Sequence, residues 1–368
     1  MSPRTPSVRK TLFRILAGFN AASVSAMMLS GYSGCVSSEQ HPFFSILGLI
    51  FPIFLLINIA WLAFWVFFRL RFTLISFVGC ILCFGPIRAY TPINIGKEVP
   101  KNTIKVLSFN VFLFAPWNQD KSKPNLIVEY LKNSGADIVC LQESSPNEVG
   151  YDYLLEELQK AYPYHHFNFT GQYSESDAMT LLSKFPIIDT DRIKYSSAGN
   201  MSMAYRLLID GDTVLVVNNH LETNNFSEED KERFKSMVQG DLKDGKPTDV
   251  SRSLANKLMD AARKRAPQAE AVARYIAESK TRHIIVCGDF NDTPLSYAHR
   301  TIAKGLTDCY IATANGPGFS YHENSIHVRI DNIFCSDSFT PYACEVDKSI
   351  KTSDHYPIHC RLKFRKDS

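Results

Sequence analysis

HIIVC, residues 283–287, runs without a break into GDFNDTP, residues 288–294. An apolar run closed by turn-forming residues reads as a buried strand opening into a loop. Asp289 and Asn291, two positions apart at that opening, can face the same way. Working outward, the same layout recurs in SFNV (108–111), LQE (141–143), NNHLE (218–222) and SDHYP (353–357). A sixth fragment, RIDNIF (329–334), carries one acid, Asp331, inside an otherwise apolar strand. These fragments supply Asn110, Glu143, His220, Asp289, Asn291, Asp331, Asp354 and His355. Acids, amides and imidazoles gathered at the ends of hydrophobic strands point to metal-assisted hydrolysis.

The chain around these fragments has 368 residues. Residues 43–68 carry no charge, enough for about 39 Å of helix at ~1.5 Å per residue, with Pro52 as a kink and Trp61 and Trp65 near one end. Residues 13–35 and 72–90 read as further spans, so residues 1–92 form a membrane segment of about three transmembrane helices. Arg4, Arg9, Lys10 and Arg14 precede the first span, and Arg69 and Arg71 fill the loop after the second. The positive-inside rule then leaves both in the cytoplasm and exports the rest to the periplasm of a bacterial inner membrane. Were 72–90 not to cross, the large domain would be cytoplasmic. A cleaved leader with a lipidated Cys35 is the competing reading, opposed by Tyr32 three residues earlier.

Charge is divided between these parts. The first hundred residues hold eight basic and two acidic residues, and the remainder 32 and 35. The basic balance therefore belongs to the membrane segment and is no footprint for nucleic acid on the larger part. No CxxC pair with zinc spacing occurs there. Cys140 and Cys287 read as buried thiols, while Cys309, Cys335, Cys344 and Cys360 could pair in an oxidising compartment.

Residues 93–103 read as a linker and 104–368 as one domain. Strands are expected at 104–110, 137–141, 213–218, 326–334 and 356–364, with apolar stretches at 178–183 and 201–209. Helices are expected at 124–133, 150–161 and 254–279. Residues 224–253 read as a charged, exposed and partly helical insertion. Strands joined sometimes by helices and sometimes by loops suggest an α+β layered sandwich.

Carboxylate and amide oxygens are the ligands Mg²⁺ prefers. Glu143, closing the run Ile138–Leu141, is the best ligand candidate, with Asn110 beside it. Asp289 and Asn291 could hold and deprotonate a water. His220 and His355 could donate protons, and Asp331 could fix the tautomer of His355. Taken singly, each has a plainer reading. Asn110 could be a turn residue, Glu143 a helix-start acid, and His220 with Glu222 a surface pair; His165, His166, His322 and His327 read as structural or surface residues.

In this order, SFNV, LQE, LLSKFPI, NxHL, GDFNDTP, RIDxIF and SDHYP resemble the endonuclease/exonuclease/phosphatase superfamily, over roughly residues 103–364. The resemblance implies a four-layer α/β/β/α sandwich of two packed mixed sheets, preceded here by transmembrane helices as in a membrane-anchored bacterial branch. It implies a metal-dependent phosphoric ester hydrolase using Mg²⁺, with Mn²⁺ as the alternative ion. The expected metal ligands are Asn110, Glu143, Asp289 and Asp354. Phosphate contacts fall to Asn218, His220, Asn291 and His355, and catalysis to His220, Asp289, Asn291, Asp331 and His355. Two departures bear on substrate. An acidic rim, Glu175-Ser176-Asp177-Ala178-Met179, stands where a glycine-rich stretch is common, and Asn332 stands where tyrosine is. Phosphodiester cleavage leads, on nucleic acid or a phospholipid headgroup. The rivals are a phosphomonoesterase of inositol, sugar or nucleotide phosphates, and a silent membrane-tethered binding module.

Overall fold

Apolar positions on both faces of most strands force this chain into layers. The computed structural model describes residues 8–120, 122–168, 178–197, 199–239, 247–323 and 326–365. The first strands are β1 (Ile104–Asn110), β2 (Ile138–Gln142), β3 (Tyr164–Asn168), β4 (Met179–Ser183), β5 (Ile187–Ile193) and β6 (Met201–Ile209). The second group is β7 (Asp212–His220), β8 (His283–Asp289), β9 (Thr307–Asp308), β10 (Asp331–Cys335), β11 (Phe339–Val346) and β12 (Ile358–Phe364). One sheet runs β11-β12-β1-β2-β4-β3 and the other β5-β6-β7-β8-β10-β9. Each is antiparallel apart from one central parallel pair, β1 with β2 and β7 with β8.

Strand periodicity builds the four layers. Val106 of β1, Val214 and Val216 of β7, and Ile285 and Cys287 of β8 all point into one core between the sheets. Their neighbours point outward. Leu107 and Phe109 meet α6 (Leu126–Asn133) and α7 (Tyr151–Leu158) through Ile127, Leu131, Leu154 and Leu158. Leu215, Val217, Ile284 and Val286 meet Ala269, Val272 and Ile276 of a long helix, Pro247–Glu278. The result is the expected α/β/β/α sandwich.

Ahead of it stand α1 (Val8–Gly31), α2 (Phe43–Leu49), α3 (Phe51–Phe68), α4 (Thr73–Leu82) and α5 (Phe84–Tyr90). By length and composition α1 and α3 can cross a membrane, and a third crossing exists only if the pair 70–82 and 84–90, bent by 65°, counts as one span. The uncharged run 43–68 is thus not one helix. It breaks at Ile50, because Pro52 lacks the N–H that would continue α2 and instead opens the first turn of α3. A buried polar knot ties the bundle together. Asn20 of α1 donates to Asn58 of α3 (3.3 Å) and Ser76 of α4 (3.0 Å), and accepts from Trp65 Nε1 (2.9 Å).

The bundle is seated on the sandwich. Ser38 Oγ donates to the Ala262 carbonyl at 2.8 Å, and Arg329 donates to the Ala89 carbonyl. Leu295 packs with Met27, Phe51 and Leu55 in one small core. At Gly34 a Cβ would come within 2.3 Å of the Leu295 carbonyl oxygen, so glycine permits the seating.

Several elements differ from the sequence expectation. The strand expected over 326–334 begins only at Asp331, because the Ile330 and Asp331 amides are taken by Ser320 Oγ rather than by a neighbouring strand. The charged stretch 224–253 holds α8 (Glu228–Gln239), and the long helix, α9, already starts at Pro247. Residues 240–246 and Glu175–Asp177 of the acidic rim lie outside the described residues. All nine cysteines are free; of the four considered, Cys309 and Cys335 have their sulfurs 3.7 Å apart.

Candidate active site

Strand register alone gathers the site. In the first parallel pair Asn110 is level with Gln142, so Glu143 follows at the same edge. In the second pair His220 is level with Asp289. Antiparallel β10 enters with Asp331 level with Asp289. The C-terminal ends of β1, β2, β7 and β8 therefore converge on one edge, with Asp354 and His355 delivered just before β12.

The backbone there is contorted. Glu143 (φ 49°) and Asn291 (φ 52°) are left-handed, as are all four residues from Phe112 to Ala115 (φ 46°, 55°, 61° and 40°). Such conformations cost on the order of 1 kcal/mol or more each and persist at functional sites where the surroundings hold them. Here the Leu113 amide donates to the Glu143 carbonyl at 2.9 Å and the Phe112 amide to Asn110 Oδ1 at 3.1 Å, locking the two loops together. Gly288 (φ 130°) faces β7 so closely that a Cβ would lie 2.0 Å from the Asn219 carbonyl oxygen. Gly288→Ala is expected to destabilise the fold by about 3 kcal/mol, read as a lowered unfolding midpoint. An unchanged midpoint would mean the two strands can separate there at no cost.

Asn110 Nδ2 bridges two acids, donating to Glu143 Oε1 at 3.0 Å and Asp289 Oδ2 at 3.2 Å. Asp289 Oδ1 accepts from the Asn291 amide at 2.8 Å, and the Asn291 side chain donates to the Leu221 carbonyl at 3.0 Å. His355 Nδ1 lies 2.8 Å from Asp331 Oδ2, while its Nε2 lies 3.7 Å from Asp289 Oδ2. His220 Nε2 sits 3.6 Å from Glu143 and 3.8 Å from Asp289, too far for a hydrogen bond to either.

Burial and mutual repulsion shape the protonation pattern. Burial, then Asp354, pushes the Glu143 carboxyl up to about 7, although the Asn110 hydrogen bond pulls the other way. Burial raises Asp289 and Asp354 as well, with His355 opposing. The two imidazoles separate. Burial alone lowers both, but the carboxylates of Asp331, Asp289 and Asp354 hold His355 well above its usual value. His220, with less help from Asp289 and opposed by His355, stays lowered. The two imidazoles are thus driven in opposite directions, a division suited to distinct acid–base roles.

Four carboxyl groups crowd around two imidazoles in this cluster, and two buried polar atoms, Asp331 Oδ1 and His220 Nε2, have no partner among the described residues. Excess buried negative charge with idle donors and acceptors fits a hard divalent cation. Asp289, Asp331 and His355 bring ligand atoms within 4.8 Å of one another. The short His355–Asp331 contact takes one side of that triangle as a hydrogen bond, while the Glu143 and Asp289 carboxyl groups meet across the Asn110 amide.

Asn218 is the exception among the expected site residues. It is fully buried; its Oδ1 accepts from Gln142 at 2.6 Å and its Nδ2 donates to the Leu141 carbonyl at 3.0 Å. Both polar ends brace one sheet against the other, and among the described hydrogen bonds Asn218 makes none to the acids and imidazoles of the cluster. Three contributors went unrecognised in the sequence. Ser353 Oγ holds the Asn110 carbonyl at 2.8 Å, Tyr321 sets its ring edge-on to His355 at 5.2 Å, and the Lys231 charge acts on Asp354. Ser353 lies in the SDHYP fragment and was open to notice; Tyr321 and Lys231 carry no local signal.

The profile of the Endonuclease/Exonuclease/phosphatase family matches residues 107–355, and one described as a domain of unknown function matches residues 13–90. No curated protein matches the chain. Among solved structures, the human Nocturnin catalytic domain with bound sulfate is 18% identical at TM-score 0.52, covering 73% of this chain and 96% of its own. Truncated Caenorhabditis elegans TDP2 is 17% identical at TM-score 0.47, covering 73% and 100%. A protein of the same family from Leptotrichia buccalis is 16% identical at TM-score 0.47, covering 71% and 100%.

Proposed function

The chain belongs to the endonuclease/exonuclease/phosphatase family, and from that premise we propose that it is a membrane-anchored, Mg²⁺-dependent hydrolase of phosphodiesters. The observation that carries this reading is the acid cluster around Asn110, in which Glu143 and Asp289 share one amide and face a charged His355. Glu143 and Asp289, with Asp354 beside them, would hold Mg²⁺, and Asn110, whose amide nitrogen donates to both acids, would brace them. When bound, the ion neutralises charge on the phosphate oxygens and on the acids that hold it.

The side chains divide the remaining work. Asp289 accepts the proton of the attacking water, and Asn291 orients that water from the adjoining loop. His355, kept charged and aimed by Asp331, donates to a phosphate oxygen, where negative charge grows. His220, neutral with an unpartnered Nε2, is placed to assist the leaving oxygen.

The bundle supports export of the domain. Arg9 and Arg69 both lie over the Phe13 ring, at 5.9 and 5.0 Å, at the end of the bundle away from the sandwich. Gly34, Ser38 and Ala89 touch the sandwich at the opposite end. By the positive-inside rule the arginine end is cytoplasmic and the domain periplasmic.

The test is turnover by the full chain with Mg²⁺ of an activated phosphodiester and the matching monoester. Diester hydrolysis is expected; monoester hydrolysis alone would overturn the diester assignment. Proton competition adds a second check. Without metal, Glu143 titrates at about 7 folded and 4.5 in its ordinary state, so between these values the folded chain holds the extra proton. Metal-free stability therefore falls as pH rises through that window, and Mg²⁺ restores it. The thermal shift from Mg²⁺ should be larger at about pH 8 than at about pH 5.5; equal shifts would remove Glu143 from the ligand set.

A further inference from the structure

An apolar chamber of about 490 Å³ lies between the helical bundle and the catalytic loop, within the range of roughly 300–1,000 Å³ that small-molecule sites occupy. Leu49, Ile50 and Ile53 close it from the bundle side, at the joint between α2 and α3. Phe234 of α8 and Leu258 of α9 form a second wall, and Ile326 with Val328 a third. Asn291, Asp292 and Thr293, in the loop that follows Asp289, complete the lining, and the Asn291 amide donates to Asp289 Oδ1 at 2.8 Å. The chamber also borders the site at Lys231, which lines it and acts electrostatically on Asp354.

Charged groups in this lining are already committed. Lys231 bonds Glu228 and Glu323, each at 2.8 Å, and Asp230 is paired with Lys257. Arg265 bonds Asp292, the Glu222 carbonyl and Asn224. What the walls chiefly offer a ligand is hydrocarbon, interrupted by Ser45, Asn224, Thr293 and His327, with Asn291 as the polar group that also meets Asp289. One wall comes from α3, a helix apolar and long enough to cross a membrane. A ligand that suits this arrangement is apolar along its length, carries a phosphate at one end, and arrives from the bilayer.

We propose that this chamber receives the hydrocarbon chain of a membrane amphiphile whose phosphodiester lies at Asp289 and Asn291, which makes the enzyme a lipid phosphodiesterase rather than a nuclease. The inference rests on the phosphodiesterase reading above and adds the substrate's apolar half. Its source is the insertion-and-anchor architecture of this chain: α8, the start of α9 and the α2–α3 joint together make a space that the sandwich alone would leave open.

The experiment uses the full chain in lipid nanodiscs with Mg²⁺ and a series of O-alkyl O-(4-nitrophenyl) phosphates with methyl, butyl, octyl and dodecyl chains. Each turnover consumes one water, whose oxygen bonds phosphorus as the P–O bond to nitrophenol breaks, releasing 4-nitrophenolate and the alkyl phosphate. kcat/KM is expected to climb with chain length, by up to about fourfold per added methylene while the chain still finds apolar wall. Partition into the nanodisc would also favour long chains, so Leu258→Trp and Ile326→Trp fill the chamber from two different walls. Both should flatten the slope and keep methyl-ester turnover within about twofold of wild type. Loss of methyl-ester turnover in one variant marks a folding failure and leaves the other to decide, with Ile53→Trp from the third wall as a reserve. A slope that is flat in wild type, or equally steep in wild type and the folded variants, overturns the chamber's role while leaving phosphodiester hydrolysis standing. No turnover of any ester, the methyl one included, overturns the underlying reading and the chamber's role with it.

Discussion

Replacing Asp289 with asparagine is expected to lower turnover of an activated phosphodiester by about 10²–10⁴-fold, the range for a lost general base. The change keeps the shape of the side chain and an oxygen for the Asn291 amide. It removes the proton acceptor and one of four crowded carboxylates. Burial and neighbouring charge raise the Asp289 pKa, so neutralising it relieves a buried charge and offsets the donor–donor approach of the new amide to Asn110 Nδ2. The metal-free variant should therefore unfold close to the wild-type midpoint. Steady-state kinetics and thermal unfolding in chelator check the two halves separately. A variant that keeps more than a tenth of wild-type turnover would take the base assignment away from Asp289.

Glu143→Ala should cost about a thousandfold in turnover at fixed Mg²⁺, the few kcal/mol that a lost metal contact removes from transition-state stabilisation. The decisive signature is binding. Mg²⁺ should no longer raise the melting temperature of the variant, and activity should recover partly only at much higher metal. Glu143 also has a left-handed backbone, so Glu143→Gly should be the more stable of the two inactive variants. Hydrolysis at the wild-type rate by Glu143→Ala would sink the cradle built around Asn110.

The sandwich and the site edge were legible because their signals are local. β1, β7 and β8 are apolar runs that finish in Asn110, His220 and Asp289, β2 stops just before Glu143, and a run ending in a polar group shows where a strand stops. β3, β5 and β11 were not recognised. β3 and β5 are sheet edges with exposed or half-buried positions, and β11 carries Pro341 and a register shift, so none shows a clean alternation. The surroundings of Asn218 were hidden for a different reason. An asparagine two residues before a site histidine shares its face of the strand, and only the facing sheet, through Gln142 and Leu141, shows that its polar atoms are taken. The seat between bundle and sandwich left no trace in the sequence at all. Gly34 against Leu295, Ser38 on Ala262 and Arg329 on Ala89 join positions hundreds of residues apart, and such contacts have no period.

That seat has a kinetic consequence. With α1 and α3 set in a bilayer, the domain is bolted to its anchor and cannot swing on a tether, because residues 31–55 and 86–94 are held against the sandwich on two sides. On the lipid reading proposed above, the catalytic edge would then work at one fixed height and tilt, and its encounters with substrate would be collisions in a plane. Rate should follow the mole fraction of substrate in the membrane rather than its amount per litre. Diluting the substrate with inert lipid at constant bulk concentration would slow such an enzyme, whereas a tethered one reaching into solution would hardly notice.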